Sequence, residues 1–223
     1  MSTKVEAGDK TARWRESYSR VRKDPFSDPQ ETNRKRLEML GVMDLPRDAR
    51  MLDVGTGDGN LYATLKGLGF HQVWGLEYQA ELLAAHPDAG RVALASATDI
   101  PYPTGSMSAV IAMDVLHHLT QQQLPKALRE VMRVLKPGGP FFVCEPASTL
   151  TRRTLRILLM SPLSRLSRFA GDKRAMVEQE QETLDPWLAA EHQFVRTVET
   201  CGFRCELFKR CWLHSYARFS AWG

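Results

Sequence analysis

The sequence predicts an α/β fold in which a doubly wound, mostly parallel sheet carries helices on both faces. Segments whose leucines and valines recur at helical spacing alternate with short apolar runs, at residues 51–54, 73–76, 109–113 and 140–145. This alternation is typical of βαβ units, in which helices connect parallel strands. The first run ends in closely spaced glycines and leads into Leu61, Leu65 and Leu68, which indicates a strand, a tight loop and a helix.

The glycine loop predicts a binding site for a nucleoside-containing cofactor. Gly55, Gly57 and Gly59 remove side chains where the backbone must turn and where a ligand must come close. The helix that follows points its unpaired N–H groups at the same spot. A dinucleotide-binding loop has the pattern Gly-x-Gly-x-x-Gly, but here the third glycine comes one residue early and Asn60 takes its position. A nicotinamide cofactor is therefore disfavoured.

The second apolar run leads directly into Glu77. A carboxylate at this point can accept hydrogen bonds from both hydroxyls of a ribose. With this acid and the glycine loop, the sequence resembles the class I S-adenosylmethionine-dependent methyltransferases, in their small-molecule, type 11-like branch. The match covers roughly residues 30–147. Later motifs of the family correspond to residues 100–102, 109–113, 115–119 and 135–139.

The resemblance implies a Rossmann-like sheet of seven strands with an antiparallel C-terminal hairpin, together with a helical cap. It also implies S-adenosyl-L-methionine as the cofactor and no metal. The residues that correspond to the family's cofactor site are Tyr18, Asp53, Gly55, Thr56, Gly57, Gly59, Glu77, Ser96, Ala97, Met113 and Asp114.

Ser96 departs from the family's pattern. The third strand, predicted at residues 91–95, usually leads into an acid that receives the adenine amino group, and this chain has serine there. Either the Ser96 hydroxyl accepts this hydrogen bond, or Asp99 substitutes for the acid, or backbone groups and apolar packing hold the adenine.

Three side chains that follow the fourth and fifth strands are candidates for catalysis: His117, His118 and Glu145. Ligands of an open α/β sheet lie at the carboxyl ends of its parallel strands. From the resemblance, we expect His117 to face the pocket. From its position and the ordinary pKa of histidine, near 6.5, we expect it to act as a base supported by Asp114 or Glu145, although both histidines could simply hold the loop. Glu145 could be a substrate anchor, a general base or a surface acid.

Residues 1–41 are expected to form N-terminal helices. An apolar stripe at helical spacing includes Tyr18, which predicts a helix packed on the edge of the core or, from the resemblance, a lid whose Tyr18 reaches the methionine carboxylate of the cofactor. A second helix should start at Asp28 and end at Gly41. We interpret its basic run at residues 34–36 as a solvated face.

Residues 147–184 interrupt the alternation and are predicted to form a helical cap, broken at Pro162. Leucines mixed with arginines fit a cap with a solvated basic face, a lid over an apolar or anionic acceptor, or a helix that touches a membrane surface. A helix is then expected to start at Asp185, with Pro186 in its first turn, and to stop at Gly202. The predicted hairpin follows, at residues 203–209 and 213–219.

The composition predicts one domain, residues 1–223, with the cap as an insertion. The 30 basic and 26 acidic residues give a net charge of +4, an excess too small to predict binding to DNA. The sequence contains no run of 18 apolar residues and no signal-peptide core, so we expect a cytoplasmic protein. Its four cysteines form no Cys-x-x-Cys pair, which indicates reduced thiols.

The predicted function is S-adenosylmethionine-dependent methyl transfer to a small, partly apolar acceptor by direct in-line displacement. Oxygen is favoured as the accepting atom, with nitrogen and carbon open. The expected protein is a monomer or a homodimer, and its basic cap is a candidate for peripheral membrane contact. Two alternatives stay open: an RNA-modifying methyltransferase, which we favour less, and a catalytically silent cofactor-binding subunit that supports a partner.

Overall fold

A mixed sheet organises the computed structural model, which describes residues 28–161 and 168–222. Its strands are β1 (Met51–Val54), β2 (Val73–Glu77), β3 (Val92–Leu94), β4 (Ala109–Met113), β5 (Pro140–Pro146), β6 (Phe203–Cys211) and β7 (His214–Ala221). They lie in the order β3-β2-β1-β4-β5-β7-β6 as a 7-stranded sheet. The first five strands are parallel, and β7 pairs antiparallel with both β5 and β6. The predicted sheet and its antiparallel hairpin are confirmed.

Helices cover both faces of this sheet. They are α1 (Pro29–Leu40), α2 (Asn60–Gly67), α3 (Ala80–Leu83), α4 (Leu124–Val134), α5 (Leu150–Met160) and α6 (Arg168–Thr200), with short 3₁₀ turns at Val42–Asp44, Ala89–Arg91 and Leu116–His118. Within the described ranges, none of the helices combines the length and the apolar character needed to cross a membrane.

The core is split by the sheet into two apolar layers, because alternate residues of each strand point to opposite faces. On one face, α1 and α2 contribute Leu37, Leu40, Leu61 and Leu65, which meet Met51 and Phe142 from the strands. On the other face, α4 and α6 contribute Leu128, Val131, Trp187 and Val198, which meet Val110 and Phe141. The carboxyl ends of β1, β2, β4 and β5 are thereby fixed side by side.

The helix α1 has the predicted ends. The Asp28 carboxylate accepts hydrogen bonds from the N–H groups of Gln30 and Glu31, at 2.9 and 3.3 Å, as a helix cap does. Gly41 ends the helix in the left-handed region, with φ of 78°. The helix therefore starts and stops on local signals that are visible in the sequence.

The prediction of a helix start at Asp185 is wrong, because α6 runs unbroken through this point with Pro186 inside it. Asp185 is bound to Arg156 of α5 at 2.5 Å instead of capping a helix. The Trp187 indole N–H donates to the Pro146 carbonyl at 2.8 Å. These contacts on either side hold the segment helical against a proline cost of about 3 kcal/mol. The predicted break at Pro162 lies outside the described residues.

Candidate active site

The loop between β1 and α2 packs against the turn that follows β4. Gly55 has a φ of 73°, and a Cβ there would lie 2.3 Å from Cγ2 of Val115, so any side chain would collide with that turn. Gly57 has a φ of 59°, and a Cβ there would meet nothing within 4 Å. Gly55 is therefore needed for packing inside the protein, whereas Gly57 leaves space open beside the loop.

The remaining loop residues are held by a neighbouring segment. A Cβ at Gly59 would lie 2.5 Å from Pro87. Oγ1 of Thr56 lies 3.3 Å from Nε2 of His86, whose Nδ1 accepts the N–H of Asp88 at 3.1 Å. Because Nδ1 is the acceptor, neutral His86 carries its proton on Nε2 and donates to Thr56. This segment braces the glycine loop from the side of α3.

Glu77 is buried at the end of β2 and ties the loop to the strand. Its Oε2 accepts the N–H of Gly57 at 2.8 Å, and its Oε1 accepts the N–H of Gln79 at 2.7 Å. Beside it, the buried Oε1 of Gln79 has no hydrogen-bond partner in the part of the chain that the structure describes. Carboxylate and amide oxygens with spare lone pairs thus lie together at this strand end.

Asp53 is buried beneath the same loop. Its Oδ2 has no hydrogen-bond partner among residues 28–161 and 168–222. Burial raises the pKa of Asp53 to about 7, although a hydrogen bond from Thr56 opposes part of this rise. A buried carboxylate with an unsatisfied oxygen is costly, which marks this position as one that a cationic or hydrogen-bonding ligand would stabilise.

The residues predicted to surround the adenine have partners of their own. The Ser96 hydroxyl lies 2.8 Å from Oγ1 of Thr98 and accepts the N–H of Thr98 at 3.2 Å. Asp99 is exposed to solvent, and Ala97 packs against the apolar core. If the Ser96 hydroxyl holds the adenine, it must therefore do so as a group that is already hydrogen-bonded to Thr98.

Asp114 follows β4 and joins distant parts of the chain. Its backbone is left-handed, with φ of 53°, a conformation that aspartate adopts more readily than most residues. Arg36 donates to Oδ2 at 2.7 Å, and Nε2 of His214 lies 3.3 Å from Oδ1. Burial alone would raise the pKa of Asp114, but the Arg36 charge and the His214 hydrogen bond outweigh it and hold the pKa well below its usual range. Met113, just before it, is partly buried against the α1 and α2 layer.

His117 and Glu145 form a buried pair at the ends of β4 and β5. Nδ1 of His117 lies 2.8 Å from Oε2 of Glu145. Oε1 of Glu145 accepts the N–H groups of Val115 and Leu116, at 2.9 and 2.7 Å. Burial alone would lower the pKa of His117, but the hydrogen bond and the charge of Glu145 outweigh it and raise the pKa above 6.5. The surface-acid reading of Glu145 is wrong, since its side chain is fully buried.

His118 lies beside this pair but has no hydrogen bond to Glu145 among those that the described residues make. It is exposed, and its Nδ1 lies 3.4 Å from Oγ1 of Thr183 on α6. The two imidazole rings are still in contact, with centroids 4.0 Å apart. The helix α6 therefore lies over the turn that carries both histidines. Tyr18 lies outside the described residues.

Sequence reasoning missed Arg36 and His214. The solvated-face interpretation is wrong for Arg36, whose side chain is only 17% exposed in its pair with Asp114. One signal was available, since Arg36 precedes Leu40 by four residues and so shares the apolar face of α1. His214 carried no signal, because only the pairing of β7 with β5 brings it to this edge.

The comparisons with known proteins agree with this arrangement. A methyltransferase domain family matches residues 52–143. The chain is 31% identical over 159 residues to a demethylmenaquinone methyltransferase from Clavibacter sepedonicus, covering 63% of this chain and 64% of that protein. It is 37% identical over 97 residues to a tRNA (carboxymethyluridine(34)-5-O)-methyltransferase from Arabidopsis thaliana, covering 43% and 23%. The chain thus spans less than two thirds of the length of these curated relatives.

A solved structure shows the same fold. It is the magnesium protoporphyrin IX methyltransferase from Synechocystis PCC 6803 with bound SAH, which has a TM-score of 0.65 and 13% identity and covers 92% of this chain and 93% of that chain. The strand order, the glycine loop with Glu77 and the family match lead to one conclusion. Residues 52–143 are similar to a methyltransferase domain, and the chain shares its fold with a solved methyltransferase.

Proposed function

We propose that this chain transfers the methyl group of S-adenosyl-L-methionine to an oxygen atom of a small, partly apolar acceptor. The observation that carries the proposal is the buried pair of His117 and Glu145, 2.8 Å apart. It lies on the turn after β4, and Val115 of that turn packs against Gly55 of the cofactor loop. A base and a cofactor loop are thus neighbours.

The residues around the loop fit this cofactor. A Cβ at Gly57 would meet nothing within 4 Å, so the space beside this backbone is open to a ligand. The oxygens of Glu77 and Gln79 suit the ribose hydroxyls, and the unpartnered Oδ2 of Asp53 suits a cationic group. We assign Thr56, Ser96, Ala97, Met113, Asp114 and Tyr18 to the same site from their correspondence with the family.

The protein's task is to place the acceptor and to manage its proton. S-adenosylmethionine supplies an activated methyl group when bound. Because Glu145 can only accept, neutral His117 carries its proton on Nδ1 and leaves the lone pair on Nε2 for the acceptor hydroxyl. A base of this kind typically raises the reaction rate by ~10²- to 10⁴-fold. Good orientation alone contributes roughly 7 to 11 kcal/mol.

A partly apolar acceptor is supported by the cap. A cavity of about 250 Å³ between α5 and α6 is lined by Thr149, Arg152, Arg156, Asp185 and Leu188, among others. This lining combines cationic and apolar groups. The relative from Clavibacter sepedonicus is named for demethylmenaquinone, and a largely apolar acceptor of that kind fits the same expectation.

The proposal is tested by incubating the purified chain with labelled methyl donor and fractionated metabolite and lipid extracts. Label should appear in a small organic-soluble product whose methyl group is bound to oxygen. Labelling of nitrogen or carbon would change the accepting atom, and no labelling of any fraction would favour the silent cofactor-binding subunit.

The rival function is methylation of RNA, which the Arabidopsis thaliana relative supports by its name. An RNA acceptor would be held through phosphate contacts by the cap arginines, so its affinity should fall steeply as salt rises. We expect no steep salt dependence, because Arg152 and Arg156 are already engaged by backbone carbonyls and Asp185, which leaves one exposed arginine, Arg153, on this helix. Filter binding to bulk RNA at two salt concentrations measures this, and a steep salt dependence would favour the rival.

Asp53 predicts a pH dependence of cofactor affinity. The pKa of Asp53 is about 7 in the folded protein, compared with 3.8 for the ordinary side chain. The folded protein therefore takes up a proton at Asp53 when the pH falls below about 7. Since the ionised form attracts a cationic cofactor, affinity should rise several-fold between about pH 5.5 and about pH 7.5. Ionisation of the buried Asp53 also destabilises the cofactor-free protein. The free energy of unfolding should therefore fall as the pH rises from about 4 towards 7. Asp53→Asn should flatten the affinity profile and raise Tm above that pH. Calorimetry at several pH values measures both proteins, and equal slopes would contradict the assignment.

A further inference from the structure

The cap helix α5 is oriented with two of its three arginines, Arg152 and Arg156, towards the protein. Arg152 donates to the carbonyls of Ala147 and Leu213, at 3.1 and 2.5 Å. Arg156 is bound to Asp185 of α6 at 2.5 Å. The reading of a solvated basic face is therefore wrong for these two residues. The charged side chains attach the helix, which leaves its apolar side chains on the outside.

The outward face of α5 is apolar and strongly exposed. Leu150 is 77% exposed, Ile157 is 72% exposed and Leu158 is 57% exposed, and Leu155 lies beside them at 38%. Trp212, in the turn between β6 and β7, is 80% exposed, and its carbonyl accepts a hydrogen bond from the Thr149 hydroxyl at the start of α5. We call Leu150, Leu155, Ile157, Leu158 and Trp212 the outer patch. A contiguous exposed apolar group of this kind marks an interaction site.

The charge around the outer patch is positive. The helix α5 contains three arginines and no acidic residue. Arg153 is exposed on the same face, three residues after Leu150 and four before Ile157. Within residues 28–161 and 168–222 it has no ion-pair partner. An exposed tryptophan, exposed aliphatic side chains and an exposed arginine together are the composition of a surface that lies in a lipid headgroup region.

The outer patch lies at the same edge of the sheet as the candidate active site. The N–H of Ala147, at the end of β5, donates to the carbonyl of Leu213 at 2.9 Å. His214, two residues after Trp212, reaches Asp114. A surface bound to the outer patch is thus adjacent to the strand ends where an acceptor must enter.

We propose that the outer patch docks the protein on the surface of an anionic bilayer. The aliphatic side chains and Trp212 enter the boundary between headgroups and acyl chains, and Arg153 contacts lipid phosphates. A second copy of the chain fits less well, because a stable interface needs about 20–30 residues a side and the outer patch has five. The proposal concerns binding alone and does not depend on methyl transfer.

The test is sedimentation of the full chain with vesicles, without methyl donor or acceptor. Vesicles of phosphatidylcholine are compared with vesicles containing about one third phosphatidylglycerol. We expect binding to the anionic vesicles, partly reduced by salt, and little binding to the neutral ones. Leu150→Glu combined with Ile157→Glu should weaken binding to the anionic vesicles at least about tenfold. Arg153→Gln should reduce only the preference for anionic lipid.

The control variant carries Tyr78→Glu and Trp222→Glu, since these side chains are 77% and 70% exposed and lie outside the patch. It should bind anionic vesicles as the unmodified protein does. Equal loss in both double variants, or no binding by the unmodified protein, would overturn the proposal. So would a concentration-dependent dimer that only the patch variant loses, or a large fall in Tm in that variant, which would mean that the chain itself covers the patch.

Discussion

Gly57→Arg is expected to abolish binding of S-adenosylmethionine while the chain still folds. A side chain at this position enters the open space beside the loop, where the cofactor must approach the backbone. The substitution also strains a left-handed backbone, with φ of 59°, whose N–H donates to Glu77 at 2.8 Å. Titration calorimetry should show 1:1 binding for the unmodified chain and no heat for the variant.

Gly105→Arg is the matched control for this experiment. Gly105 has a φ of 63° and, like Gly57, would place a Cβ with nothing within 4 Å. In both variants the left-handed backbone conformation therefore destabilises the protein by roughly 1–2 kcal/mol, and both variants gain the same charge. The decrease in Tm should be similar in the two variants, and only Gly57→Arg should fail to bind the cofactor. Binding retained in Gly57→Arg, or a preference of the unmodified protein for a nicotinamide nucleotide, would contradict the assigned cofactor site.

His117→Ala should lower kcat by at least about 10²-fold with cofactor affinity nearly unchanged. The reason is chemical, since the variant loses the base that receives the acceptor proton but keeps the glycine loop. Activity of the unmodified protein should also fall on acidification, through a pKa above 6.5, because only neutral His117 is a base. Steady-state rates across pH, together with calorimetry for the cofactor, measure both effects.

Two further variants separate catalysis from loop structure. His118→Ala should cost much less, because His118 is exposed and contacts Thr183. Glu145→Gln separates the loss of the base from a change in the turn more directly. Its carbonyl can still accept the N–H groups of Val115 and Leu116, while its NH₂ group faces Nδ1 of His117. The imidazole proton then moves to Nε2, and the base is lost although the turn is kept. If both histidine variants show equal and mild losses, the pair only shapes the loop and proton removal falls to another group.

The sheet could be predicted from the sequence because its signals are local. Apolar runs mark β1, β2, β4 and β5, and the glycines mark the first turn. The α1 boundaries were equally readable, since Asp28 and Gly41 act within a few residues of themselves. In each case the residues that cause the strand, the turn or the helix end lie within a few positions of it in the sequence.

The failures involve partners that are remote in the chain. Pro186 was read as a helix start, but Arg156 and Pro146 hold its neighbours within a longer helix. Arg36 was read as solvated, although Asp114 and His214 bury it. Burial of Glu145 depends on the turn that folds back over it. No local pattern carries this information, because a side chain's environment is set by the segments that pack against it.

The carboxylate of Asp114 joins two segments that leave the ribosome at different times. It holds Arg36 from the first described helix and His214 from the last described strand. The strand β7 lies between β5 and β6, and its pairing with β5 brings His214 to this position. A chain emerges from the ribosome with its N-terminal part first, at about 5–20 residues per second. The glycine loop is therefore made several seconds before this corner can close.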